Sequence, residues 1–186
     1  MKSLLINLTL FQVGWFACVF SAAAGVPLIG VAAVAVAVIV HLVLSENPRS
    51  EGILMFLAIA LGVSWESALV AAGVVSYEVG NLLPGMAPYW IVAMWVLFAT
   101  TLNSSMRWLR KSLPLAIATG AIGGPMSYFA GLKFGAINFS DTGVALALIG
   151  VGWAVLLPLM VRAGVWLEET ELRLIPLRAQ TQGEES

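Results

Sequence analysis

The strongest constraint on this chain is a series of six apolar runs, at about 4–22, 26–44, 53–75, 89–109, 113–139 and 142–167, separated by short polar stretches. The hydrocarbon core of a bilayer is about 30 Å thick, and a helix needs about 20 apolar residues to cross it. No water reaches the backbone there, so each run must satisfy its own N–H and C=O groups by coiling into a helix. Charged residues make up 10% of the chain and hydrophobic ones 60%, against roughly 25% charged in a soluble domain. That supply of charge cannot coat a soluble surface. The expected fold is an all-α integral membrane protein, with one domain of six transmembrane helices over 1–167 and a polar cytoplasmic tail over 168–186. The EETELRL start of the tail is expected to prolong the last helix, and its QTQGEES end to be irregular.

Basic residues orient such a bundle, because Lys and Arg concentrate in short cytoplasmic loops. With six spans drawn, Lys2, Arg49, Arg107, Arg110, Lys111, Arg162, Arg173 and Arg178 all fall on one side. The loops at about 23–25, 76–88 and 138–143 on the other side hold no Lys or Arg, and only Lys133 lies toward them. A missed or added span would spoil this segregation, so the charges support both the count and an N-in, C-in topology. Lys2, the first apolar run and SAAAG also resemble a cleaved signal peptide. Asn7, Gln12 and Trp15 within that run argue instead for a retained helix. A net charge of −1 offers no basic field to nucleic acid. The single Cys18 can form neither an internal disulfide nor a cysteine-based metal cluster.

Polar groups inside a membrane are costly and mark candidate sites. From the cytoplasmic ends, the helical rise puts Asn7 and His41 roughly 5 Å deep, Asn103 roughly 9 Å and Gln12 about 12 Å. Glu66 and Tyr128 come out near 20 Å, and Lys133 near the far interface. Glu66, in GVSWESALV, is the residue that stands out, because an ionised carboxylate at that depth needs a partner or water. It is either a proton-carrying or substrate-anchoring acid, or a neutral acid bonded to Tyr128 or a backbone carbonyl that holds two helices together. Lys133 is expected to snorkel outward rather than reach Glu66. His41, the only histidine, is expected to hydrogen-bond near the interface. Asn7, Gln12 and Asn103 either bond between helices or line a polar cavity.

The fifth run is the most unusual. Gly120 and Gly124 are four apart, as are Gly131 and Gly135, and each pair bares backbone on one helical face for close packing or for a partner protein. Pro125 removes one backbone hydrogen bond and is expected to kink the helix, freeing a carbonyl for a cavity or for Ser127. Trp90, Trp108 and Trp166 fall at expected interfaces as anchors. Trp15, Trp65, Trp95 and Trp153 fall deeper, as packing or as the wall of a pocket. The sequence shows no phosphate loop, HExxH or GxSxG motif and no paired DxxxD acids. It therefore implies no metal and no cofactor, and it leans away from an enzyme.

PYWIVAMWVLFATTLNSSMRWL (88–109) and GAIGGPMSYFAGLKFGAINF (120–139) resemble the signature of an uncharacterised bacterial inner-membrane family, catalogued as a domain of unknown function. NLTLFQVGWFACV and the WES around Glu66 are similar to it as well, although the family's usual residue at the acid position is Asp. The resemblance covers about residues 4–167 and implies a small multi-pass protein of the bacterial inner membrane, with no activity attached. The leading expectation is a protein that binds or handles a lipid or other apolar small molecule. Glu66, Asn103, Tyr128, Ser127, Gln12 and Asn7 would supply polar contacts, and Trp65 and Trp95 the walls. The alternatives are a small proton-coupled transporter or flippase, and an accessory subunit that binds a membrane partner through the glycine faces of the fifth helix.

Overall fold

A computed structural model describes the backbone over residues 2–184 and side chains over 4–170. The side chains of Lys2, Arg173 and Arg178, and the end of the tail at 185–186, lie outside the described residues. The chain is all-helical apart from one short strand pair. It runs α1 (Lys2–Ala23), α2 (Leu28–Leu44), α3 (Pro48–Ala71), β1 (Val75–Ser76), α4 (Tyr89–Leu102), a 3-10 turn (Arg107–Lys111), α5 (Leu113–Lys133), β2 (Asn138–Phe139) and α6 (Thr142–Glu184). Four stretches are long and apolar enough to cross a membrane: Leu4–Ala23, Pro48–Ala71, Leu113–Lys133 and Thr142–Thr170. The helices α2 and α4 are apolar but shorter, at 17 and 14 residues. Large apolar side chains such as Phe20, Val36, Ile39, Phe56, Met126 and Val151 point outward and are exposed. An apolar exterior of this extent belongs to a membrane-embedded protein.

The helix boundaries correct the sequence expectation in four places. The third helix begins at Pro48, where proline at the first helical position needs no N–H partner. Glu51 therefore enters its first turn instead of a loop. The fourth ends at Leu102 instead of near 109. Thr100 and Thr101 turn their hydroxyls back onto the carbonyls of Leu97 and Phe98, at 2.7 and 2.6 Å, and Asn103 closes the helix. Such side chains compete with the helical ladder, and the chain leaves α4 through a turn. The fifth ends at Lys133, followed by Gly135 at φ +80, a left-handed position that glycine adopts at no steric cost. Pro125 lies within α5, which remains one continuous helix. At the other end of the chain, α6 runs on to Glu184, well into the stretch expected to be irregular.

At the centre is α4, which packs against α1, α2, α3 and α6. The α1–α2 hairpin covers one side and the α5–α6 hairpin another, with α6 also against α3. Close approach depends on glycine. A Cβ on Gly120 would strike the Trp153 carbonyl oxygen, and one on Gly150 would lie 3.2 Å from the Ala121 carbonyl, the acceptor that Pro125 leaves without its helical donor. The Gly120–Gly124 face is thus filled by α6 of the same chain. That face is not open to a partner protein. By contrast, α1 and α5 do not pack closely on each other. The strands β1 and β2 pair antiparallel, Val75 with Phe139 and Ser76 with Asn138, and so tie the loop before α4 to the loop after α5.

Candidate functional site

The buried face of α3 carries Glu51, Leu54, Met55, Ala58, Gly62, Glu66 and Leu69, the three- and four-residue spacing of a single helical stripe. Glu66 is 1% exposed. Burying a carboxylate requires donors, and three converge on it. The Tyr77 hydroxyl donates to Oε2 at 2.7 Å and the Trp95 indole N–H to Oε1 at 3.1 Å. The Tyr128 hydroxyl donates to the same Oε1 through a short contact. The tyrosine–acid bond foreseen between α3 and α5 is therefore present, joined by two donors from other elements.

Glycines seat the indoles around this acid. A Cβ on Gly62 would overlap the Trp95 ring, one on Gly124 the Trp153 ring, and one on Gly152 the Trp65 ring. Gly62 stands one turn before Glu66, so the missing side chain lets the Trp95 N–H reach the carboxylate. Trp95 and Trp153 stack with ring centroids 5.0 Å apart at 20°, and Phe98 meets both edge-on. Tyr77 arrives from the loop before α4. There Trp90 donates its N–H to the Val79 carbonyl at 3.1 Å and packs edge-on against Tyr77. Gly80, at φ +84, leaves room for the Trp90 ring. Trp90 is 1% exposed, so it is a core residue and not the interfacial anchor expected. Trp108 and Trp166 are exposed.

Beside the acid lies a cavity of about 80 Å³, lined by Phe11, Trp15 and Val19 of α1, by Glu66, Tyr77 and several α4 side chains, by Ser127, Tyr128 and Gly131 of α5, and by Trp153. It sits where α1 and α5 fail to close on each other. The seam is bridged by a hydrogen bond from the Trp15 N–H to Ser127 Oγ at 3.1 Å. Phe134, just beyond α5, packs edge-on against Trp15, Phe16 and Phe20 of α1. Two indole N–H groups near the acid, on Trp65 and Trp153, are buried and have no hydrogen-bond partner.

A second polar cluster occupies the other end of α3. Glu51 Oε2 pairs with His41 Nε2 at 3.1 Å, and its Oε1 accepts from Asn103 Nδ2 at 2.9 Å. Asn7 donates to the Thr100 carbonyl at 3.0 Å and accepts from the Ser105 hydroxyl at 2.8 Å. Its amide nitrogen lies 3.5 Å from His41 Nδ1. Arg110 donates to Asn103 Oδ1 and to Glu168, the latter at 2.6 and 3.0 Å. The network joins α1, α2, α3, the end of α4, the 3-10 turn and α6.

The residues singled out from sequence thus divide. Glu66, Tyr128, Ser127 and Trp95 meet at the cavity. Trp65 sits behind it against Gly152, and Gly131 contributes bare backbone to its wall. Asn103 and Asn7 belong to the second cluster, because α4 unwinds at Asn103 and turns its amide toward Glu51. Gln12 is exposed on the outer side of α1 and takes part in neither. Lys133 is exposed, its Nζ 5.1 Å from the Phe129 ring centroid, and does not reach Glu66. Tyr77, Trp90, Glu51, Ser105 and Arg110 carry no signal beyond their residue type, since each is placed by a loop or a helix end, and Glu168 is identified only by its pairing with Arg110. No group of three or more potential metal-ligating His, Cys, Asp or Glu side chains forms among the described residues.

These features define a helical, membrane-embedded protein with an aromatic cavity built on a buried carboxylate. The chain belongs to the family described as "Protein of unknown function (DUF2878)", whose model matches residues 4–159. Comparison with curated proteins and with solved structures yields no match.

Proposed function

We propose that this protein sits in the bacterial inner membrane as six spans with both ends in the cytoplasm, and that it binds a lipid or other apolar small molecule in the Glu66 cavity. The carrying observation is the cavity itself, an aromatic space beside a buried, three-donor carboxylate, placed where two helices leave a seam. Ligand sites are typically apolar concavities with a few fixed polar groups, and a seam between helices gives a bilayer-borne molecule a lateral way in. At about 80 Å³, the space is smaller than the roughly 150 Å³ of an apolar cavity that takes up benzene. It admits a chain end as it stands, and a bulkier body requires the seam to widen.

The six-span arrangement rests on the segregated basic residues, with α4 crossing as a short helix at the centre of the bundle and α2 as a short helix on its side. Cysteine substitutions at Asn81 and Ser112 test it with a membrane-impermeant maleimide on intact cells. Labelling at 81 and not at 112 is expected, and the reverse pattern overturns the topology. The binding proposal is tested by native mass spectrometry of the protein released from its own membrane. Wild-type protein is expected to carry an apolar molecule that Glu66→Gln loses. Equal retention by a folded Glu66→Gln variant contradicts the proposal.

A further inference from the structure

Helix α1 carries polar side chains on two faces, and the chain bonds to only one of them. Asn7, Trp15 and Ser21 point inward, and each has a hydrogen-bond partner. Thr9 and Gln12 point outward and are exposed, and their side chains find no partner among the described residues. Gln12 stands ten residues after the start of α1 at Lys2 and eleven before its end at Ala23, so about 15 Å of helix separates it from either end. In a spanning helix that is the depth farthest from water and from lipid headgroups. A carboxamide carries two N–H donors and a carbonyl acceptor, and hydrocarbon meets none of them.

We propose that the outward face of α1 is the contact between two copies of this chain, paired in parallel through reciprocal Gln12–Gln12 hydrogen bonds. Polar groups are rare at the bilayer centre, so an unrelated protein seldom presents one at the right depth. A second copy inserted in the same orientation always does. The carboxamide is its own complement: its N–H donates to the facing carbonyl oxygen and its carbonyl accepts in return, and a two-fold axis satisfies both at once. Leu5, Thr9, Gln12 and Phe16 are all exposed and follow the four-three-four spacing of a left-handed coiled-coil seam. A shallow groove on this face, lined by Leu8, Thr9, Gln12, Val13 and Phe16, leaves room for a side chain of the facing helix. A single polar residue in such a seam fixes its register. The other side of α1 is packed on α2 and α4, so pairing requires no rearrangement within the chain. It is also independent of what the Glu66 cavity holds.

The test uses the full chain in liposomes over a series of lipid dilutions, with copies labelled for energy transfer at Asn81→Cys on a Cys18→Ala background. Chains with Gln12 intact are expected to pair. Gln12→Leu is expected to weaken pairing about tenfold, the equivalent of two modest interhelical hydrogen bonds, and Gln12→Asn, which keeps the carboxamide, to hold most of it. In excess detergent, where copies are apart, Gln12→Leu should unfold as wild type does, because Gln12 has no partner within the chain. Oxidative cross-linking reads the face directly. Leu5→Cys is expected to form a disulfide between copies, and Val151→Cys, exposed on α6, to form none. Chains with Gln12 that stay monomeric at every dilution overturn the proposal. So does pairing that Gln12→Leu leaves unchanged, or cross-linking at Val151 in place of Leu5. A different membrane protein that co-purifies with wild type and is lost with Gln12→Leu overturns the second copy as the occupant of this face.

Discussion

Two carboxylates lie on the same buried face of α3, about 15 residues and so about 22 Å apart, and they are used differently. Glu51 is met by an imidazole and an amide, and through Asn103 it connects to the Arg110–Glu168 ion pair. The partners there come from different elements, and the result is a brace across the bundle. Glu66 is met by two phenols and an indole, with an open space beside it. Burial alone therefore does not distinguish a structural acid from a site. What sets Glu66 apart, and supports the proposed site, is the space next to it.

The comparison breaks most readily at Glu51. Replacing it by Ala leaves His41 and Asn103 buried without their acceptor, and a loss of about 3 kcal/mol is expected, read by unfolding in mixed micelles. The folded fraction should still retain whatever the Glu66 cavity binds. A loss below about 1 kcal/mol would place this cluster with ordinary interhelical polar contacts. Glu66→Gln is next, at about 2 kcal/mol, because one amide oxygen replaces two acceptor oxygens before three donors. Here ligand retention falls with stability, and unchanged retention would make Glu66 a brace like Glu51. Trp15→Phe removes the hydrogen bond to Ser127 across the α1–α5 seam and should cost about 1 kcal/mol. Its clearer effect is faster exchange of bound probe, and an unchanged exchange rate would mean that the ligand enters elsewhere. Gln12→Leu should change stability by less than about 0.5 kcal/mol, since the exposed amide has no internal partner. A larger loss would reveal a contact outside the chain.

Much of this architecture is legible in the sequence, and the rest fails for specific physical reasons. Six apolar runs become six helices because the backbone in an apolar solvent has few other choices. The acid in GVSWESALV and the tyrosine in GGPMSYFAGLK, each buried by its helix, meet as foreseen. Helical depth alone sets Asn103 apart from Glu66 and beside Asn7 and His41, as the structure has it; assigning Asn103 and Asn7 to the same pocket as Glu66 fails because Asn103 caps α4 and faces Glu51. Gln12, at an intermediate depth, lies on the outward face of α1. Tyr77 and Trp90 are fixed by a loop whose path depends on Gly80 and on the β1–β2 pairing, neither of which hydropathy registers. The glycine pairs of α5 were visible as bare backbone. That Gly120 and Gly124 receive Trp153 of α6, and no partner protein, follows only from how the hairpins pack.

Filling the cavity without touching a hydrogen bond tests its role most directly. Gly131 lines the space, and a Cβ there would stand 3.4 Å from the Ile137 side chain, an ordinary contact. Gly131→Val should fold as wild type, keep the three donors on Glu66 and lose the bound molecule in native mass spectrometry. A folded Gly131→Val protein that carries the same molecule at wild-type occupancy would contradict the assignment of this cavity as the binding site.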